Sequence, residues 1–140
     1  MAFDFSGRVI LVTGGTKGIG RGIAQAFLKA GARVIICGRS APEMPVVCGT
    51  ATADFFPLDV RDVEAVKALF DGIAADYGRL DVLINNAGGS PNADAATASP
   101  RFHASIIRLN LIAPLHMAQM ANAIMQNQPE GGVIEFIGSV

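Results

Sequence analysis

Cysteine is scarce in this chain. Cys37 and Cys48 are the only two among 140 residues, and their spacing matches neither a CxxC pair nor a metal-ligand pattern. Two cysteines so placed read as free thiols, so no disulfide framework and no metal site is expected. A long apolar run is also missing: no stretch approaches membrane-spanning length, and residues 1–6 lack the basic segment and apolar core of a secretory signal. The expectation is a cytoplasmic chain that does not enter a membrane. Charge of one sign is absent too. Eleven Lys and Arg stand against twelve Asp and Glu, the net charge is −1, and the basic residues are scattered. Neither nucleic acid nor an anionic membrane finds an electrostatic footprint here, which leaves small-molecule chemistry as the default. There is no internal repeat and no linker-like stretch. With 51% hydrophobic residues, positions 1–140 read as one domain able to bury a sheet.

Apolar runs of strand length recur at residues 9–12, 34–37, 55–58, 82–84 and 133–137, and most are continuous rather than alternating. Such runs suit strands buried on both faces of a parallel sheet covered by helices. Between the first two runs, Ile19, Ile23, Ala24, Phe27 and Leu28 recur at helical spacing, with Gly31 where a helix C-terminus belongs. After the third run, Asp62 can cap a helix whose apolar face is Val63, Val66, Leu69, Phe70 and Ile73, ended by Gly78. A last helix, from about Phe102 to Met125, is apolar on much of its surface and should be well buried. The predicted fold is therefore α/β, a Rossmann-like three-layer α/β/α sandwich with a parallel sheet in the order 3-2-1-4-5. Two connections depart from an even rhythm. The prolines within residues 39–54 leave little room for a full crossover helix, and the small, polar loop 88–100 leaves the C-terminal end of the fourth strand, where ligands bind in open α/β sheets.

The segment Thr13-Gly14-Gly15-Thr16-Lys17-Gly18-Ile19-Gly20 lies between the first strand and the first helix. Glycines there allow a sharp turn, a close backbone approach to a pyrophosphate, and a helix that starts near the sheet and offers its N-terminal dipole to phosphate. Asp59-Val60 follows the third strand and Asn85-Asn86-Ala87-Gly88 the fourth; Asn110 lies in the last helix and Ser139 after the fifth strand. Singly, each has a bland reading: a tight turn, a cap ahead of the Asp62 helix, a buried helix asparagine, a solvated serine. Thr13 is read as a support, its hydroxyl tying the first turn to backbone near Asn85–Gly88 rather than touching a ligand.

Together and in this order, these motifs resemble the classical branch of the short-chain dehydrogenase/reductase family over essentially the full chain. The spacing of Gly14, Gly18 and Gly20 is that of this branch rather than of the extended branch of sugar-nucleotide epimerases. The resemblance implies a dinucleotide held by Gly14, Thr16, Lys17, Gly18, Ile19 and Gly20. It also implies an adenine contacted by Asp59 and Val60, and a nucleoside lined by Asn86, Ala87 and Gly88. An NAD-specific site needs a carboxylate at the end of the second strand, where this chain has Cys37-Gly38-Arg39. Arg39 can instead bind a ribose 2′-phosphate as a charge-assisted fork, with Lys17 as a second cation, although each alone also suits a solvated surface. Both stand where family members that prefer NADP carry basic residues, so NADP(H) is the expected cofactor.

The family's Ser-Tyr-Lys-Asn group acts on a carbonyl or alcohol. Its tyrosine is the general acid/base, a lysine lowers that tyrosine's pKa, and the serine holds the substrate oxygen. Ser139 matches the serine and Asn110 the asparagine. Pro114 has no N–H to offer the Asn110 carbonyl four residues earlier, so a kink or a water is expected there. The only tyrosine, Tyr77, is followed by Gly78-Arg79-Leu80-Asp81 and cannot serve a Tyr-x-x-x-Lys pair. The expectation is a fragment, truncated product or partial chain, inert by itself, of a homo-oligomeric (dimeric or tetrameric) enzyme acting on a small carbonyl or alcohol. Its fifth strand would be a bare edge, and Glu135 there has no obvious partner. The alternative is a non-catalytic dinucleotide-binding or redox-sensing module.

Overall fold

A computed structural model describes residues 3–138 of the chain. Its sheet is built on β1 (Val9–Thr13), whose five residues are all buried. Alternate side chains of a strand point to opposite faces, so β1 feeds two cores. Val9 and Leu11 join the core under α2 (Val63–Tyr77) and α4 (Ala113–Met125). Ile10 and Val12 join the core under α1 (Gly18–Lys29). Both sets are essentially free of water, and each such side chain contributes roughly 1.5–3 kcal/mol by burial. The continuous apolar run is the mark of this two-sided burial.

β2 (Arg33–Gly38) and β6 (Val82–Asn85) flank β1 in parallel; β5 (Asp54–Pro57) and β7 (Val133–Phe136) form the edges, giving the order β5-β2-β1-β6-β7. Counted without the small hairpin described next, this is the predicted 3-2-1-4-5 order, with helices on both faces. The third and fifth runs differ from prediction in burial. As edge strands, β5 and β7 are not covered on both faces: Phe56 is 36% exposed, Val133 55% and Phe136 53%, while Ile134 packs against the core.

Residues 39–53 hold no helix. In its place is an antiparallel hairpin, β3 (Val47–Cys48) with β4 (Ala51–Thr52), turning at Gly49 with φ +60°. Its flanking residues Val46 and Ala53 are buried beside α1.

The last helix departs most from the sequence reading. It begins at Pro100 rather than near Phe102, capped by the Ser99 hydroxyl, as α3 (Pro100–Ile107). It then widens into a π-helical turn, Arg108–Ile112, before α4. There the Ala113 N–H donates to the Arg108 carbonyl, five residues back. A π turn of this kind is one way a helix absorbs a proline, and Pro114 stands immediately after it. The helix is also less buried than expected. No α3 residue is buried, and α4 buries a single stripe, Ala113, Met117, Ala121 and Met125, at four-residue spacing. Ile107, Leu111 and Leu115 remain 53%, 55% and 49% exposed. Only one stripe meets the sheet, so apolar composition alone overstated the contact. Ile19 and Val63 were likewise assigned to inward helix faces and are 69% and 44% exposed; Ile19 faces the groove instead.

Candidate functional site

In a parallel sheet all C-terminal strand ends lie at one edge, and here β1, β2, β5 and β6 deliver their following loops to a single groove of about 880 Å³. From the first loop, Gly14, Thr16, Lys17, Gly18, Ile19 and Gly20 line it. From the other three come Arg39, then Asp59 and Val60, then Asn86, Ala87 and Gly88. Every residue that the sequence reading assigned to a cofactor therefore faces one space.

The turn after β1 requires glycine for separate reasons. Gly14 and Gly18 have φ of +64° and +54°, which side chains resist. Gly20 requires it by proximity, since a Cβ there would sit 2.3 Å from the Gly14 carbonyl oxygen and 2.5 Å from the Asn86 side-chain nitrogen. At Gly18 a Cβ would meet nothing within 4 Å and would instead project into open space. α1 then starts with no side-chain cap at Lys17 and no acidic residue in its first turn. Its first N–H groups, lacking intrahelical partners, suit an anion.

Thr13 locks this turn to β6, as the sequence suggested. Its buried Oγ1 accepts from the Asn86 N–H at 3.0 Å and the Ala87 N–H at 2.9 Å. Asn86 answers with its side chain, donating to the Thr13 and Gly14 carbonyls at 3.0 and 3.3 Å. Asn85, just before it, is 5% exposed, and its Nδ2 has no partner among the described residues.

Asp59 has the turn role considered for it, in a form the sequence did not reveal. Its carboxylate accepts from the Arg61 N–H at 3.0 Å, from Arg61 Nε at 2.9 Å and from an Arg61 terminal nitrogen at 2.6 Å. The Arg61 hydrogen bonds hold its pKa down at about 2, with Arg39 adding a smaller electrostatic pull. Asp59 thus stays ionised throughout the neutral range. Arg61 lines both the groove and an adjoining hollow of about 520 Å³ that also receives Asp62, Arg101 and Arg108.

Asn110 is not part of the groove lining. Its side chain clasps the start of the loop after β6, accepting from the Gly89 N–H at 2.8 Å and donating to the Gly89 carbonyl at 2.9 Å. It also donates to the Ile106 carbonyl at 2.9 Å. A Cβ on Gly88 would approach its Oδ1 to 2.8 Å, so Gly88 is held tightly against it. Ser139, the predicted catalytic serine, lies outside the described residues. Tyr77 is set away from the groove: its hydroxyl donates to Asp54 at 2.6 Å and Arg33 stacks on its ring at 4.5 Å. Burial and then the Asp54 carboxylate push its phenol up to about 12, opposite to the shift a tyrosine base needs. Cys37, at the groove floor, is buried and its thiol is pushed up to about 12, which leaves it unreactive.

Sequence reasoning missed Arg61, Arg21 and the stretch from Ala41 to Met44, all of which line the groove. Only the position of 40–44 directly after β2 pointed to it.

A parallel α/β sheet with a glycine turn, a helix N-terminus and three further loops around one groove defines a dinucleotide-binding type of domain. Comparison with known proteins narrows the class. The family model for short chain dehydrogenases matches residues 8–140. A short chain dehydrogenase/reductase of Colletotrichum higginsianum is 36% identical, over 89% of this chain and 49% of its own length. Another from Macrophomina phaseolina is 34% identical over 92% of this chain and 78% of its own. A crystal structure of a metagenomic short-chain oxidoreductase in complex with NADP superimposes with a TM-score of 0.87 at 33% identity, covering 96% of this chain and 63% of that one. The chain belongs to the short chain dehydrogenase family, whose members use a nicotinamide dinucleotide, and it spans about half the length of the first of these relatives.

Proposed function

We propose that this chain forms the cofactor-binding part of an NADP(H)-dependent oxidoreductase acting on a small carbonyl/alcohol pair. The groove fits such a cofactor: the open space at Gly18 is a cradle that a Cβ would fill, beside the uncapped start of α1. The observation that carries the choice of NADP(H) is the end of β2. No carboxylate stands there, while Arg39 and Lys17 both line the groove. A ribose 2′-phosphate thus meets two cations and, at the strand end itself, no carboxylate. NADPH, when bound, supplies the hydride.

In this reading Gly14 to Gly20 receive the pyrophosphate, Asp59 and Val60 the adenine, and Asn86, Ala87 and Gly88 the adjacent nucleoside. Asn110 fixes the loop after β6, and Ser139 holds the substrate oxygen. A metal takes no part, and the assembly is a homo-oligomer in the cytoplasm. The second reading, a non-catalytic dinucleotide-binding module, draws on Tyr77: bonded to Asp54 with its phenol pushed up to about 12, the one tyrosine within residues 1–140 is unsuited to acid/base work. Turnover of a carbonyl panel with NADPH by the full-length protein would decide for the enzyme.

Titration with both cofactors tests the assignment. NADPH should bind more tightly than NADH. Arg39→Ala should weaken NADPH by about 1–3 kcal/mol, the range for a charge-assisted bond, and leave NADH nearly unchanged. Equal losses for both would overturn it.

A further inference from the structure

The segment after Arg39 is part of the groove yet has almost nothing of its own to hold it in place. Ser40, Ala41, Pro42, Glu43 and Met44 line the same space as Asp59 and Arg61. They belong to neither helix nor strand, and among the described residues the backbone of 39–45 makes no hydrogen bond to other backbone. Arg21, on the first turn of α1, supplies the missing partner. Its Nη1 donates to the Met44 carbonyl at 2.8 Å and its Nη2 to the Pro45 carbonyl at 2.8 Å. One turn on, Gln25 donates to the Val47 carbonyl at 3.1 Å, and between them the Val46 side chain is sunk into the core at 1% exposure. The far end of the segment is thus pinned to α1, and its near end is the end of β2.

Two features point to what this wall serves. It begins at Arg39, the cation placed for a 2′-phosphate. It also presents Met44, which lines the groove and is 70% exposed, and an exposed thioether suits the face of an aromatic base. We propose that Arg21 is a positioning residue for the phosphoadenosine end of the cofactor. Its fork to the Met44 and Pro45 carbonyls sets residues 40–44 as the wall against which the adenine and 2′-phosphate bind. A guanidinium makes both bonds from one plane, which a lysine at this position would not reproduce.

The inference rests on the NADP(H) reading, and the two can fail separately. In the full-length protein, binding of adenosine 2′,5′-bisphosphate and of nicotinamide mononucleotide is measured by calorimetry for wild type, Arg21→Gln and Arg21→Lys. Arg21→Gln should raise the Kd for the bisphosphate about tenfold, the equivalent of one charge-assisted bond, and leave the mononucleotide unchanged; Arg21→Lys should fall between. Cleavage after Glu43 by a glutamate-specific protease should be faster in Arg21→Gln, since the wall is released. Undiminished bisphosphate binding, equal loss of both probes, or unchanged cleavage after Glu43 would each overturn the role of Arg21. A wild-type protein that binds no bisphosphate would overturn the cofactor reading itself.

Discussion

Thr13 is 1% exposed and has no access to a ligand, yet the site depends on it. One hydroxyl serves as acceptor for two consecutive N–H groups of the chain leaving β6, and the Ile84 carbonyl lies 3.4 Å away as the acceptor for its proton. Thr13→Val keeps the shape and removes the acceptor, leaving the Asn86 and Ala87 N–H groups unpaired. Urea unfolding should register a loss of about 1–3 kcal/mol, the usual cost of stranding a partly buried donor, and Thr13→Ser should recover most of it. A Thr13→Val protein as stable as wild type would show that the glycine turn does not need this tie. The same reasoning separates the glycines: Gly20 is required by what it touches and Gly18 by its conformation.

At the level of elements, α1 and α2 end differently because they do different work. α2 is complete in itself. The Asp62 carboxylate accepts from the Glu64 and Ala65 N–H groups at 3.1 Å each, Glu64 adds negative charge to the first turn, and Gly78 closes the helix with φ +69°. Asp62→Ala should therefore cost about 1 kcal/mol of stability, read as a lowered urea midpoint, and should leave nucleotide binding intact. An unaffected midpoint would show that the cap is dispensable. α1 has neither a side-chain cap nor an acidic first turn, and its open end faces the groove. Both helices were legible from apolar spacing and a glycine at or just after the last turn, and α2 from its Asp62 cap as well. The third was not: Pro114 signalled a disturbance, but a kink and a π turn both accommodate a proline, and the structure has the π turn at Arg108–Ile112.

Over the whole molecule, the two ends of the sheet have separate tasks. At the N-terminal strand ends, Asp81 accepts from the Val9 N–H at 2.8 Å and is paired with Arg8 and Arg79, and Glu130 also bonds to Arg8. Burial pulls the Asp81 pKa up, but hydrogen bonds from Arg79, Val9 and Arg8 outweigh it, and the net shift is downward. Gln128 holds the Leu80 N–H at 2.8 Å, the Leu80 carbonyl at 3.0 Å and the Gly131 carbonyl at 2.6 Å, joining β7 to this clasp. The C-terminal ends are left for the groove. Among the described residues no strand pairs with the outer side of β7, and Val133, Phe136 and the following Ile137 are exposed. The sequence also contains no Tyr-x-x-x-Lys pair to work beside Ser139. Under the proposed reading the 140-residue chain should thus bind NADPH without reducing carbonyls, and a longer protein that carries a Tyr-x-x-x-Lys pair should turn over. In that longer protein Ser139→Ala should lower kcat strongly and leave cofactor affinity nearly unchanged, because the role proposed for it is a bond to the reacting oxygen. Turnover by the short chain, or lost cofactor binding in the Ser139 variant with the fold intact, would sink this assignment.

By itself the sequence determined the class of fold, the sheet order, the glycine turn, the support role of Thr13 and part of the groove lining. Each is written in local terms: a continuous apolar run means two-sided burial, a glycine marks a backbone constraint, and a loop after a parallel strand must emerge at the ligand edge. Tertiary structure alone decided the rest. Arg61 closing on Asp59, Arg21 reaching the Met44 and Pro45 carbonyls, the hairpin in place of a crossover helix, and the exposure of Ile107, Leu111 and Leu115 all depend on which surfaces meet across distant parts of the chain. A side chain's charge or apolarity says what it can do. Only packing says whether it faces the sheet, the groove or water.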